Sequence, residues 1–470
     1  MSKNTQDLVF LIEETLTISR NKVATVLVKE YKYDEKKALE IEKAIYASTK
    51  FALENMFIFK SGPKTFDFLN YAKEYKNSLE DYSDFANWSW IALTIPYYQS
   101  LGDTIGYYNS EWEFNRGNIH AGPEYVNELI YEFIYLGGVN DFSVKNLLAS
   151  DDTILYLATM QVLCDGFENI QEFGEKIKEE YIKSVPLIKN RYPGTTTLSA
   201  LNFQRTGEWN KLPYDSESKG AGSAMRSGCI GIFFPGSINR KKLIELAIES
   251  SRITHNSTLA ILGSITTALF TAYSLEKVAI NKWPNKLLKI LKSDIIDNYL
   301  KKSRPNDYEF YLKDKKLYTG QWDKYIRLLF TGIGPDLDIK FMKNPVSRYK
   351  YLTDNFSKGC ETPGSCADDA IIMAYDSLAR CSTTFEKILI YSVLHPGDSD
   401  TVGSIALSWF GGYYHSPRNE LIVRRMFKNL EFYDKINELF KKALPLMVKV
   451  YYHDIYLHFA RRYLKDYKNK

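Results

Sequence analysis

Apolar positions along this chain recur at helical rather than strand spacing. Leu8, Leu11, Ile12 and Leu16 share one helical face, as do Ala38, Ile41, Ala44 and Ile45. Farther on, residues 240–254 set Leu243, Ile244, Ala247 and Ile248 on one side, and residues 385–394 do the same with Ile388, Leu389 and Val393. Strand-like alternation is scarce, so the pattern predicts an all-α protein. Ser61-Gly62-Pro63 interrupts the helical pattern near the front. Residues 1–84 therefore read as an extra N-terminal helical segment ahead of one larger domain over residues 85–470. Pro, Gly and Ser clusters at 192–197, 219–223 and 362–365 predict loops within that domain rather than linkers. The polar, Lys-rich section 282–350 is expected to decorate the surface.

Residues 256–275 carry no charge, and about 20 apolar residues suffice to cross a membrane. Ser257, Thr258, Gly263, Ser264, Thr266, Thr267 and Thr271 make the run too rich in hydroxyls and small side chains for lipid, but suit a helix packed tightly inside a core. It is read as a central buried helix, with no membrane partner. The composition, 45% hydrophobic and 14% aromatic, supports a large core. A net charge of only +4 with both signs interspersed does not argue for a nucleic-acid partner, although the Lys-rich tail 465–470 could contact anions. The five cysteines include no CxxC pair, which fits a reducing compartment. Cys360 and Cys366 are not expected to pair. Without a basic start, an apolar stretch and a small-residue cleavage site at the front, the expected location is intracellular and cytoplasmic.

Two acidic clusters change the picture. Ser150-Asp151-Asp152-Thr153 and Asp398-Ser399-Asp400-Thr401 lie roughly 250 residues apart, each directly before a long uncharged stretch. Ser, Asp and Thr at such a place are common helix N-caps. Two carboxylates are redundant for one cap, however, and their repulsion is costly unless a cation or a helix dipole offsets it. Carboxylate and hydroxyl oxygens, with no His or Cys among them, are the donors that Mg²⁺ or Mn²⁺ prefers. The pair reads as two halves of one metal site. Between them, Lys219-Gly220-Ala221-Gly222-Ser223-Ala224-Met225-Arg226 is a Gly-rich loop whose backbone N–H groups could cradle a phosphate, though it matches no dinucleotide or Walker fingerprint.

Taken in order, Gly102-Asp103-Thr104-Ile105-Gly106-Tyr107-Tyr108-Asn109 with Trp112-Glu113-Phe114, the two acidic clusters, the Gly220 loop, Glu249-Ser250-Ser251-Arg252-Ile253-Thr254-His255, and Asp369-Ala370 with Ala374-Tyr375-Asp376 resemble the ADP-ribosylglycohydrolase family. The resemblance implies a compact orthogonal helical bundle holding two Mg²⁺ ions. It also implies a hydrolase that cleaves the N-glycosidic bond between ADP-ribose and a protein side chain. Tyr107-Tyr108-Asn109, Trp112-Glu113-Phe114 and Ala268-Leu269-Phe270-Thr271-Ala272-Tyr273 look most like the arginine-specific branch. Carried over by position, the metal ligands are Ser150, Asp151, Asp152, Asp398, Asp400 and Thr401. Asp151 or Asp152 activates water, Glu113 lies beside the ribose, and Gly220, Ala221, Gly222, Ser223 and Ala224 wrap the diphosphate. The implied partners are ADP-ribose and an ADP-ribosylated protein.

The chain departs from the family pattern in two places. Asn256, Ser257 and Thr258 follow His255 where further His residues are usual, and Pro396 replaces a glycine before Gly397-Asp398. His255 itself, a lone histidine, suits a packed, hydrogen-bonded role better than a catalytic one. Two other readings stay open: action on serine-linked or O-acetyl ADP-ribose, and non-catalytic ADP-ribose binding. In the N-terminal segment, Arg20-Asn21-Lys22, then residues 39–46, then Tyr75-Lys76-Asn77 resemble the central segment of TFIIS-type elongation factors, which implies a protein or nucleic-acid partner for residues 1–84.

Overall fold

A computed structural model describes residues 28, 34–40, 42–43, 80–117, 122–329, 340–414, 417–443 and 446. They belong to two compact units, Ile91–Leu439 and Met1–Trp90 with Phe440–Lys470. Most of the expected N-terminal segment lies outside the described residues, including two of the words that resemble an elongation factor, 20–22 and 75–77, and part of the third, 39–46. The larger unit is all-α: among the described residues there is no strand beyond one isolated bridge between Gly220 and Cys366.

The helices that frame the site and core are α1 (Glu80–Tyr107), α2 (Asp151–Asp165), α3 (Ile170–Ile188), α4 (Ala224–Phe233), α5 (Arg240–Arg252), α6 (Thr258–Leu275), α7 (Tyr308–Leu329), α8 (Pro345–Phe356), α9 (Asp369–Arg380), α10 (Phe385–Ser392) and α11 (Ser399–Tyr414). Within the larger unit, α6 is the axis. It packs against α4, α5, α7 and α11, and all its residues but Leu259 are buried. Among the described residues it is the one helix long and apolar enough to cross a membrane, yet protein covers it.

Its hydroxyls explain how so polar a helix can be buried. Thr266, Thr271 and Ser274 donate back to carbonyls of α6 itself, and Ser264 donates to Ala247 O on α5 at 2.9 Å. These four hydroxyls are thus paired inside the core, and the small side chains bring neighbouring backbones close. Apolar packing continues outward from Phe270, whose ring centroid lies 5.1–5.6 Å from those of Trp283, Trp322, Tyr375 and Trp409.

Section 282–350 departs from its expected role as surface decoration. Trp283, Leu287, Leu291, Tyr318, Trp322, Tyr325 and Leu329 are fully buried, and Tyr318 donates to Thr266 on α6 at 2.7 Å. Most of its described lysines are exposed while apolar stripes of its helices complete the core, an amphipathic pattern that the high charge content masked. Arg348 on α8 reaches inside to Asp376 on α9 at 2.8 Å and to Tyr391 O on α10 at 2.8 Å. The cysteine expectation is also corrected: Cys360 and Cys366 form a disulfide, with Cα atoms 5.8 Å apart. Spacing alone did not suggest this, because the intervening turn, not a CxxC motif, brings the two sulfurs together.

Candidate active site

Two helix N-termini meet at the acidic clusters. Ser150 caps α2, its Oγ accepting from Asp152 N at 3.1 Å, so Asp151 and Asp152 occupy the first turn. Asp400 and Thr401 stand in the first turn of α11, where Thr401 N donates to Asp400 Oδ1 at 2.9 Å and to Asp398 Oδ1 at 3.3 Å. The capping role and the clustering are therefore both real. The clusters join across the interface: Ser404 Oγ donates to Asp152 Oδ2 at 3.1 Å, and Thr401 Oγ1 to Asp152 Oδ1 at 3.5 Å. All six residues expected as metal ligands are buried.

Glu113 reaches the same place from a loop of unusual backbone. Tyr108, Asn109 and Ser110, then Phe114 and Asn115, have φ between 42° and 66°, the left-handed region that side chains seldom adopt. Three contacts hold this shape. Tyr108 stacks on Trp112 with centroids 4.3 Å apart, Asn109 Oδ1 accepts from Leu148 N at 2.8 Å, and Phe114 N donates to Gly397 O at 3.0 Å. The last bond places Glu113 beside the Asp398 turn, buried.

One carboxylate that the sequence reading left without a role belongs here. Asp103, on α1, accepts from Ser150 N at 3.0 Å, from Thr153 N at 3.0 Å and from Thr153 Oγ1. It orients the first turn of α2 from behind. The signal was present in the sequence: Asp103 is the lone charged residue in the run 91–107. A second brace acts one residue earlier. Arg191 forks onto Glu431 at 2.7 and 2.9 Å, and together they grip the Ala149 peptide, Arg191 donating to its O and Glu431 accepting from its N.

Six carboxylates without an ion pair among the described residues make the site strongly negative. Burial, then repulsion by Asp400, pushes Asp103 up to about 7. The same causes, with Asp103 adding to them, push Asp151 up to about 8. Glu113, Asp152 and Asp398 are driven well above the carboxylate range by burial and by their acidic neighbours, Asp400 first among them, and Asp400 is raised by burial. The two helix dipoles offset only part of this charge. Such a donor set, all oxygen, buried and short of positive charge, fits divalent Mg²⁺ or Mn²⁺.

The Gly-rich loop lies on the other side of the turn 362–365. Ala221 N donates to Ser365 O at 2.8 Å, while Asp398 N donates to Pro363 O at 2.9 Å, so one turn holds both parts. A Cβ on Gly222 would come within 2.8 Å of the His255 ring. Arg226 braces the loop from inside, donating to Gly222 O at 2.7 Å, Ser250 O at 2.8 Å and Thr254 Oγ1 at 2.7 Å, with its guanidinium over the Tyr181 ring. His255 is buried, and its Nδ1 pairs with Thr254 Oγ1 at 2.8 Å. Burial, with Arg226 close by, drives it down to about 3, so it is neutral. The residues after it are structural: Asn256 donates to Leu212 O and Asp307, and Ser257 caps α6 while donating to Ser218 O.

Comparison with known proteins shows the family. Residues 99–452 match the profile described as ADP-ribosylglycohydrolase. A protein of Acanthamoeba polyphaga mimivirus provisionally named an ADP-ribosyl glycohydrolase is 50% identical over 439 residues, covering 92% of this chain and 85% of its own. A match that broad takes in part of the sequence ahead of residue 99. The Dictyostelium discoideum ADP-ribosylhydrolase ARH1 is 30% identical, over 67% of this chain and 84% of its own. The Xenopus tropicalis ADP-ribosylhydrolase ARH3 is 24% identical, over 68% and 89%.

Proposed function

The chain belongs to the ADP-ribosylglycohydrolase family, and from that premise we propose that it removes ADP-ribose from arginine side chains of proteins, reversing mono-ADP-ribosylation. The observation that carries this reading is the convergence of Asp151, Asp152, Asp398 and Asp400 with Ser150 and Thr401 on one buried point beside Glu113. The arginine linkage is favoured by Tyr107-Tyr108-Asn109 and Trp112-Glu113-Phe114, which resemble the arginine-specific branch, and by the similarity to the Dictyostelium protein.

In this reading Ser150, Asp151, Asp152, Asp398, Asp400 and Thr401 would hold two Mg²⁺ ions. When bound, such ions relieve the carboxylate repulsion, polarise the vicinal ribose hydroxyls and lower the pKa of a water. The chain's own residues do the rest. Asp151 or Asp152 accepts the proton of the attacking water at a carboxylate oxygen. Asp103 holds the first turn of α2 so that these carboxylates keep their aim. Glu113 positions the ribose or supplies a proton to it, a role that its burial beside the acidic clusters suits. Backbone N–H groups of Gly220 to Ala224 receive the diphosphate, with the loop fixed from behind by Arg226.

The test is release of ADP-ribose from an arginine-ADP-ribosylated protein, with Mg²⁺ and with chelator, for wild type and Asp398→Asn. Mg²⁺-dependent release that the variant loses is the expected outcome, and full activity in Asp398→Asn would refute the site. Release only from serine-linked or O-acetyl ADP-ribose would move the substrate, and binding of ADP-ribose without release from any linkage would make the protein a reader.

A further inference from the structure

We infer that Cys360 and Cys366 are a reversible disulfide site whose oxidation state sets how firmly the two halves of the ligand site are held together. The inference about the cysteines rests on their position; its consequence for ADP-ribose rests on the function proposed above.

The disulfide closes the turn 360–366, and that turn is the shared wall of the site. On one side Ser365 O accepts from Ala221 N at 2.8 Å, and Ala367 N donates to Lys219 O at 2.9 Å, so the Gly-rich loop is paired to it like a short strand. On the other side Pro363 O accepts from Asp398 N at 2.9 Å. Gly397 packs so closely that a Cβ there would lie 2.2 Å from Pro363 O. From beneath, Asp369 accepts from Gly364 N at 2.8 Å and from Cys366 N at 3.0 Å. Hydrogen bonds therefore shape residues 363–366, while the outer stretch 358–361 is tied to them covalently through Cys360.

Exposure makes the bond exchangeable. Cys360 is half-buried at the surface, whereas Cys366 is 5% exposed, so Cys360 is the sulfur that solvent reagents reach. In the forward direction the Cys360 thiolate attacks a low-molecular-weight disulfide and expels one small thiolate. The Cys366 thiolate then attacks Cys360 Sγ of the mixed disulfide and expels the second. Two protein thiols are oxidised, one small disulfide is reduced to two thiols, and the two protons pass to them. Opening the bond leaves the Asp369 bonds and the Cys360 N bond to Ser357 O, 3.1 Å, in place but removes the covalent tie between 358–361 and the turn, so the hydrogen bonds to Ala221 and Asp398 open more often.

The sulfurs also lie within 4.8 Å of carboxylate oxygens of Asp368 and Asp369, a grouping that could hold a metal ion when reduced. Against this, both Asp369 oxygens already accept backbone N–H groups and Asp368 accepts from Gln321.

The full-length protein is equilibrated with oxidised or reduced glutathione, and its thiols are alkylated and located by mass spectrometry. Amide hydrogen exchange is followed at Ala221, Cys366 and Asp398. Expected is a disulfide confined to Cys360 and Cys366 that reduction opens, with exchange at the Ala221 and Asp398 amides becoming about tenfold faster. Cys360→Ser and Cys366→Ser should both show the fast exchange whatever the glutathione state. ADP-ribose binding, measured in parallel, should weaken on reduction. Exchange unchanged after proven reduction, failure of the disulfide to form, or retention of zinc by the reduced protein would each overturn the inference. These readouts need no substrate, so they fail or succeed independently of the proposed hydrolase activity, which ADP-ribose binding and release judge separately.

Discussion

Asp398 stands among carboxylates that raise one another's affinity for protons, so replacing it should help the metal-free protein while ending its function. Asp398→Asn is expected to melt no lower than wild type in chelator and to lose the stabilisation that Mg²⁺ gives wild type, as read by differential scanning calorimetry. The same charges predict a pH dependence. Asp151 and Asp103 have folded pKa values raised to about 8 and about 7, above the ordinary carboxylate value. Each therefore penalises folding at high pH, and the penalty shrinks as pH falls through those values. His255 and His395 are driven down to about 3, mainly by burial, so each begins to cost stability as pH drops below the ordinary histidine value of about 6.5. The metal-free melting temperature should rise from pH 8 to about pH 6.5, where the histidine cost sets in, and saturating Mg²⁺ should flatten that slope. A flat metal-free profile would mean that the carboxylates do not repel one another as the geometry requires.

Helix contacts decide where the acidic groups point. Gly106 on α1 lies so close to the start of α11 that a Cβ would sit 2.4 Å from Ser399 O and 2.6 Å from Asp400 Cα. Both obstacles are backbone, so Gly106→Ala must push the helices apart. A loss of about 1–3 kcal/mol in urea unfolding is expected, the usual range for overpacking, together with weaker Mg²⁺ binding because Asp400 moves with the backbone. Farther out, Asp376 on α9 binds Arg348 on α8 and Arg380, each at 2.8 Å, and accepts from Tyr325 on α7 at 2.7 Å. Asp376→Asn would leave Arg348 buried without its counter-charge, at a cost of about 3–5 kcal/mol. Equal stability of that variant in urea would show that the arginine finds other partners. The periodicity of α5 and α10 was plain in the sequence, and the central α6 could be recognised from its small and hydroxylated residues. The buried stripe of α7 was not, because its tyrosines and tryptophan alternate with lysines that dominate any average over the segment.

For the larger unit as a whole, stability and ligand occupancy should be linked, since the site ties α1, α2 and α11 to one another. ADP-ribose with Mg²⁺ at about 100 times its Kd should stabilise the protein by about 2.7 kcal/mol, read as a higher melting temperature, and chelator should abolish the gain. No shift despite binding by calorimetry would mean that the unfolded chain binds equally well, contrary to a site assembled by folding. Much of this unit was determined by the sequence itself. Helical spacing, the uncharged α6 and the two Ser/Asp/Thr clusters at helix starts are local features, set by neighbours three or four residues away and by caps that each helix carries in its own chain. How the two clusters meet, with Ser404 and Thr401 on Asp152, was decided by the tertiary structure, because no local rule sets the geometry of side chains some 250 residues apart. So were Asp103 as an orienting group, the burial of section 282–350 and the pairing of Cys360 with Cys366. Each depends on where packed helices and turns place atoms in space, and that follows from how the whole chain fills its core.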